Sequence, residues 1–314
     1  MYASRKVFAG KASQGLAEAI CKQLDQPLGQ ADIMKFKNDN KFVQILESVR
    51  ACDVFVVQTS CPPVDENLME LLLMIDALKR ASAGRITAVM PYFPYVRSDK
   101  KDQPRIPLSA RLVADLITTA GADRVITIEL HAAQIGGFFS IPLDHLTTKS
   151  LFKEYLESKH LESPVVVACD AGGAKNAMKF ARSLGAPLAI MEKHRLGNTD
   201  EVEVTAFIGD VRGRQAIIYE DEISSGGTVA GAVEVLKSQG AAEVYVCATH
   251  GIFCGNAYQN LAKCGVHEVI TTDTVPHDPS IRPGFVTELS VASLLADAIR
   301  RVHNGDSVSD LFSY

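Results

Sequence analysis

Residues 217–228 read IIYEDEISSGGT and concentrate more chemistry than any comparable stretch of the chain. An apolar run ends in two acids, Glu220 and Asp221, and Ser224, Ser225, Gly226, Gly227 and Thr228 then open an amphipathic stretch. Glycines let the backbone approach a phosphate. The unpaired N–H groups of a helix start point at it with the helix dipole behind them. The three hydroxyls add donors, and the acids, one strand-turn away, can accept hydrogen bonds from the 2- and 3-hydroxyls of a ribose. The simpler alternative is a capped helix, which one Ser or Thr would serve. Two glycines flanked by three hydroxyl residues exceed what a cap needs.

Other candidates are weaker by residue type alone. Arg97, Ser98, Lys100, Lys101, Asp102 and Arg105 crowd a polar, Pro-containing stretch. Such a run is usually a solvated loop, although it could close over a triphosphate. His131 follows the run RVITIEL and Asp170 follows PVVVAC. A neutral imidazole at a strand end can ligate a metal or donate to a phosphate oxygen, but is more often structural. A carboxylate there is a hard oxygen ligand suited to magnesium.

The elements that must position these residues follow a repeated rhythm of short β-branched run, turn and helical stretch. The runs are 53–58, 85–90, 123–128, 164–168, 215–219, 243–248 and 268–271, mostly near-continuous apolar segments of the kind that form parallel strands covered on both faces. Amphipathic stretches at 67–83, 109–120 and 229–239 lie between them. This alternation predicts an α/β fold of two similar three-layer domains with mainly parallel central sheets. The phrase GADRVITIELH at 121–131 echoes GAAEVYVCATHG at 240–251, which suggests domains at 1–146 and 147–300 with a tail at 301–314. A shared habit of helix-to-strand turns would produce the same echo. Ligands are expected beyond the C-terminal ends of the strands.

The chain's 314 residues are enough for two such cores, and 47% apolar with 22% charged residues is ordinary for a soluble enzyme. A net charge of −5 speaks against a nucleic-acid partner. The seven cysteines lack C-x-x-C spacing and read as reduced thiols of a cytoplasmic protein. No apolar leader or membrane-length run is present in the sequence.

Further segments, in order along nearly the whole chain, resemble the ribose-phosphate pyrophosphokinase (PRPP synthetase) family, which has the type I phosphoribosyltransferase fold. They are LMELLLMIDALKRASA (68–83), YVRSDKKDQPRIPLSAR (95–111), ELHAAQIGGFF (129–139), ACDAGGAKNA (168–177) and the ending VSDLFSY, together with the loop at 217–228. The resemblance implies transfer of the pyrophosphoryl group of ATP to the C1 hydroxyl of ribose 5-phosphate, giving PRPP and AMP. It implies Mg²⁺ as cofactor, with His131 and Asp170 at the metal site. Lys193 and Arg195 in IMEKHRL, with Lys100 and Lys101 of the flexible loop, become the catalytic cations. ATP falls to Phe36, Asn38, Asn40, Arg97, Ser98, Asp102, Arg105 and His131, and ribose 5-phosphate to Glu220, Asp221 and 224–228. A homo-oligomer, hexameric by resemblance, with ADP and phosphate regulation near Ser48, Arg50, Lys79, Arg80 and Ser82, is also implied.

The sequence departs from the family at several points. Asn38 and Asn40 stand where the nucleotide hairpin usually carries acids, and an amide loses the charge-assisted part of a bond to an adenine amino group. Glu220-Asp221 and Ser224 make the sugar loop look more like that of the transferases. Ser98 stands where a Gln is usual, and Asn176 follows Lys175 where a basic residue is common. These departures keep three alternatives open: a phosphoribosyltransferase, a non-catalytic regulatory paralogue, and a pyrophosphokinase with altered nucleotide or sugar-phosphate preference.

Overall fold

The computed structural model describes residues 2–170, 172–195 and 202–312, with the backbone alone over 192–195 and 202–206. Its contacts divide the chain into two compact units, one of residues 1–147, 273–276 and 290–313 and the other of 148–272 and 277–289.

The first unit begins with β1 (Arg5–Ala9), α1 (Gln14–Gln23) and a hairpin of β2 (Ala31–Lys35) and β3 (Lys41–Ile45). Then come β4 (Asp53–Val57), α2 (Val64–Arg80), β5 (Arg85–Met90), α3 (Ser109–Ala120), β6 (Arg124–Ile128) and β7 (Leu143–Leu146). The parallel sheet runs β1-β4-β5-β6-β7, and the hairpin forms a separate two-stranded sheet. β4 is buried at every position, as a central strand covered on both faces must be. Leu68, Leu71, Ile75 and Leu78 of α2 recur at helical spacing and fill one side of the core. Asp65 and Glu66 in the first turn of α2, and Lys79 and Arg80 in its last, complement the helix dipole.

The second unit contains α4 (Lys149–Ser158), β8 (Pro164–Ala168), α5 (Ala174–Leu184), β9 (Leu188–Arg195) and β10 (Val202–Ile208). It continues with β11 (Gln215–Ile223), α6 (Gly227–Ser238), β12 (Glu243–Gly251), α7 (Ala257–Cys264), β13 (Glu268–Thr272) and β14 (Val286–Leu289). Its sheet runs β10-β9-β8-β11-β12-β13-β14, parallel apart from the β9–β10 hairpin. Among the described residues the first sheet has five parallel strands and the second six, β9 running parallel to β8 and only β10 antiparallel, and in both units a hairpin follows the first strand and helix. The α/β class with mainly parallel sheets is as expected.

Three particulars differ from the sequence reading. β11 and β12 run past the apolar segments to Ile223 and Gly251, because Glu222 and Ile223 pair with His250 and Gly251 and keep the ladder going through polar residues. The GADRVITIELH echo does not mark equivalent places. Counted along the sheet from the strand that opens each unit, β6 lies three strands from β1 and β12 two from β8, so the echo reflects a common helix-to-strand turn. Finally, α8 (Ala292–Asn304) belongs with the first unit, not the second. Arg85 forks onto Asp53 at 2.7 and 2.6 Å and donates to the Val302 carbonyl at 2.8 Å, and His303 Nδ1 lies 2.8 Å from the same fully buried Asp53 carboxylate. That shared charge, with Leu295 and Ile299 buried beneath it, holds the helix.

All seven cysteines are free, six of them buried, and burial pushes the Cys21 thiol up to about 11. Among the described residues no helix is long and apolar enough to cross a membrane.

Candidate active site

In the second unit, β11 delivers Glu220 and Asp221, both half-buried, to the turn that starts α6. The turn closes on Gly226, whose φ of 74° is a left-handed conformation natural to glycine. A Cβ there would come within 3.3 Å of the Ala257 carbonyl oxygen. The N-cap position falls on Gly226, which has no side chain, so a Ser or Thr does not serve as the N-cap there. Ser225, Gly227 and Thr228 are exposed, and Ser224 is half-buried. The first N–H groups of α6 and the surrounding hydroxyls therefore form a donor cradle suited to an anion.

The cradle is braced from behind by residues that the sequence pattern did not single out. The Cys254 N–H donates to the Ser224 carbonyl at 2.9 Å, and Asn260 Nδ2 to the Ser225 carbonyl at 3.0 Å. Beneath that brace His277 lies 2.6 Å from Glu288 through Nδ1 and 2.5 Å from the Gly251 carbonyl through Nε2. Burial pushes the Glu288 carboxyl up, but His277 and Arg282, the latter at 2.9 Å, outweigh it and hold the group below the usual carboxylate range.

Asp170 follows β8 and is exposed, with its Oδ1 accepting the Gly173 N–H at 2.7 Å. The remaining lone pairs suit a hard cation. Lys193 and Arg195 fall at the end of β9, where the backbone pairs with Val204 and Val202, and their side chains lie outside the described residues.

In the first unit the expected nucleotide residues sit on three segments. Phe36–Asn40 form the tip of the β2–β3 hairpin, closed by Phe36 N–H to the Asn40 carbonyl at 2.8 Å. Phe36 is 49% exposed, with the Phe42 ring tilted 60° to it at 5.8 Å, so an aromatic face is available to a base. Asn38 and Asn40 are exposed beside it, and Asn38 Oδ1 accepts the Asn40 N–H at 3.3 Å. Arg97, Lys100, Lys101, Asp102 and Arg105 are exposed on an irregular loop, with Ser98 half-buried. His131 is exposed just after β6, where the Leu130 N–H donates to His145 Nε2 at 2.8 Å.

Printed in no motif are the contacts that join these segments. Gln134 Nε2 donates to buried Asp99 at 2.8 Å, which ties the cationic loop to the His131 segment. The Tyr95 hydroxyl donates to Asp65 in the first turn of α2. Glu66 and Glu70 of the same helix take Lys35 and Lys41 of the hairpin at 3.2 and 2.6 Å. An acid on the apolar stripe of α2, as Glu70 is, was the one signal in the sequence for this network.

Among the described residues no three His, Cys, Asp or Glu side chains cluster as a ready-made metal site. Magnesium typically takes one or two carboxylates and completes its shell with substrate phosphates and water, so the exposed Asp170 carboxylate fits its chemistry.

Two α/β units with sequential parallel strands, one opening into a Gly- and hydroxyl-rich anion cradle just after paired acids, define a phosphoribosyl-handling protein. The comparisons narrow this. Residues 5–121 match the model of the N-terminal domain of ribose phosphate pyrophosphokinase, and 198–313 that of the phosphoribosyl synthetase-associated domain. The ribose-phosphate pyrophosphokinase of Wolinella succinogenes is 46% identical over 98% of both chains. That of Deinococcus radiodurans is 48% identical over 98% of this chain and 97% of its own. The crystal structure of phosphoribosylpyrophosphate synthetase from Mycobacterium smegmatis superposes with a TM-score of 0.90 at 45% identity, covering 96% of this chain and 99% of that one. The chain belongs to the ribose-phosphate pyrophosphokinase family.

Proposed function

We propose that this chain transfers the β,γ-pyrophosphoryl group of ATP to the C1 hydroxyl of ribose 5-phosphate, forming PRPP and releasing AMP. The observation that carries the reading is the open cradle of residues 224–228 at the start of α6, in a chain alike to ribose-phosphate pyrophosphokinases along its whole length. The cradle holds the 5-phosphate, while Glu220 and Asp221 hold the ribose hydroxyls and so aim C1. Phe36 stacks on the base, with Asn38 and Asn40 at its edge, and Arg97, Ser98, Asp102, Arg105 and His131 hold the rest of the nucleotide.

The C1 oxygen attacks the β-phosphorus in line as the bond from that phosphorus to the AMP oxygen breaks. Negative charge builds on the oxygens around the transferring group. Lys100, Lys101, Lys193 and Arg195 offset it, and positioning by the loops supplies much of the rate. Asp170 and His131 would hold Mg²⁺, which when bound spreads charge over the phosphate oxygens. A homo-oligomer, hexameric and regulated by ADP and phosphate as the resemblance implies, belongs to the same proposal. So does action in the cytoplasm.

Phosphorus NMR of the protein with ribose 5-phosphate, ATP and Mg²⁺ tests this. Appearance of AMP together with a pyrophosphate at C1 is expected, and silence with every nucleoside triphosphate would reject it. The amides at the hairpin tip favour one variant reading, a relaxed nucleotide preference. Asn38→Asp with Asn40→Glu should then raise the preference for ATP over GTP about fivefold, as charge-assisted bonds replace neutral ones. Competition kinetics between the two nucleotides checks this.

A further inference from the structure

The Lys35–Lys41 cross-strand pair should weaken the hairpin. The two lysines lie directly opposite each other in the β2–β3 register, immediately flanking the Phe36–Asn40 tip. Like charges in that relation repel. The hairpin is also a two-stranded sheet apart from the main one, and such a hairpin is marginal unless something packs on it. Ala31, Ile33, Val43 and Ile45 pack its far end against the core, so the tip end needs another anchor.

Glu70 is that anchor. Its side chain is 0% exposed, and both carboxylate oxygens are engaged. Oε2 takes Lys41 Nζ at 2.6 Å, while Oε1 takes the Lys11 N–H at 2.6 Å and Gln58 Nε2 at 3.0 Å. Lys41 is itself only 12% exposed, which makes this pair far less screened than the surface bridges around it. Glu66 completes the arrangement from one turn away, 3.2 Å from Lys35 and 4.0 Å from Lys41. The contact is costly elsewhere. Gln58 Oε1 is buried with no partner, and the amide lies where a Cβ on Gly10 would meet it at 2.3 Å. A glutamine kept in that position serves to present its N–H₂ to Glu70 and the Asn67 carbonyl.

We propose that Glu70 is a positioning residue for nucleotide binding. Its buried carboxylate fixes Lys41, and Lys41 fixes the orientation of the Phe36–Asn40 tip. Glu70 touches no substrate. The inference rests on the reading that the hairpin holds the base of ATP.

Steady-state kinetics on the full chain tests it with Glu70→Gln, Lys41→Met, Lys41→Arg, Phe36→Ala and the Phe36→Ala/Glu70→Gln double variant. Glu70→Gln and Lys41→Met are expected to raise the KM for ATP about tenfold, as loss of a charge-assisted bond does, with kcat and the KM for ribose 5-phosphate within about twofold. Lys41→Arg should restore the KM for ATP. In the Phe36→Ala background, Glu70→Gln should add little, because both act through one element.

If Phe36→Ala raises the KM for ATP and neither Glu70→Gln nor Lys41→Met does, the role of Glu70 is overturned while the hairpin reading stands. If Phe36→Ala leaves that KM unchanged, the hairpin reading fails and the Glu70 proposal falls with it. Equal loss toward both substrates, or loss of kcat alone, would show general destabilisation and reject the positioning role. Should Glu70→Gln fail to fold, Lys41→Met and its Arg counterpart carry the same comparison.

Discussion

In each unit the strand beside the opening one passes into a helix, β4 into α2 and β11 into α6, and the two turns have opposite characters. After β11 the chain opens outward through exposed hydroxyls and glycines, with Gly226 at the N-cap. After β4 it closes inward. Gln58, Thr59, Ser60 and Cys61 are all buried. The Thr59 N–H donates to Ser13 Oγ at 2.8 Å and its hydroxyl to the Thr274 carbonyl at 2.7 Å. Pro62 and Pro63, both exposed, then lead into α2 and have no N–H of their own. The same topological position thus yields an anion cradle in one unit and a sealed joint in the other. Topology puts a helix N-terminus at the C-terminal edge of the sheet. Whether its donors face a ligand depends on having glycine and hydroxyl residues there in place of proline and buried threonine.

The largest effect on this contrast should come from removing a proposed cation of the open unit. Lys193→Ala is expected to lower kcat at least about a hundredfold, the usual worth of a charge that meets the transition state. Single-turnover rates check it, and unchanged turnover would remove Lys193 from the mechanism. A smaller loss is expected on forcing the cradle itself. Gly226→Val places a side chain at a φ of 74° and against the Ala257 carbonyl, and kcat/KM for ribose 5-phosphate should fall about thirtyfold. The KM for ATP, measured in the same assays, should move far less.

The smallest effect belongs to the sealed joint. Ser60 Oγ is buried without a hydrogen-bond partner, so Ser60→Ala removes an unsatisfied group. Stability should rise by about 1 kcal/mol with kinetics unchanged. Denaturant melts alongside activity assays would show it. A kinetic defect instead would mean that the joint after β4 also handles substrate, and the contrast between the two turns would collapse.

Much of the fold was legible because its local signals were strong. The apolar runs at 85–90 and 164–168 became β5 and β8 with those bounds, and 109–120 became α3. Runs that ended in polar residues were underestimated. β11 continues through Glu220, Asp221 and Glu222 because β12 pairs with it there, and pairing with a distant strand leaves no mark on local hydrophobicity. The amphipathic α8 carries no local mark of where it docks. Its partner, the Asp53–Arg85 pair, is remote in sequence.

What the sequence by itself determined is the chemistry of the turns: glycines and hydroxyls after β11, an aromatic between Lys35 and Asn38, a cationic run at 97–105. These are matters of residue type at short spacing, where backbone freedom and hydrogen-bonding capacity act locally. The tertiary structure alone decided which charges are buried and what they hold. Glu70 is marked in the sequence only by its place on the apolar stripe of a helix, which does not say what it meets. It becomes the anchor of the hairpin because folding removes it from water together with Lys41, Gln58 and the Lys11 N–H, and a charge without water must be met by such partners.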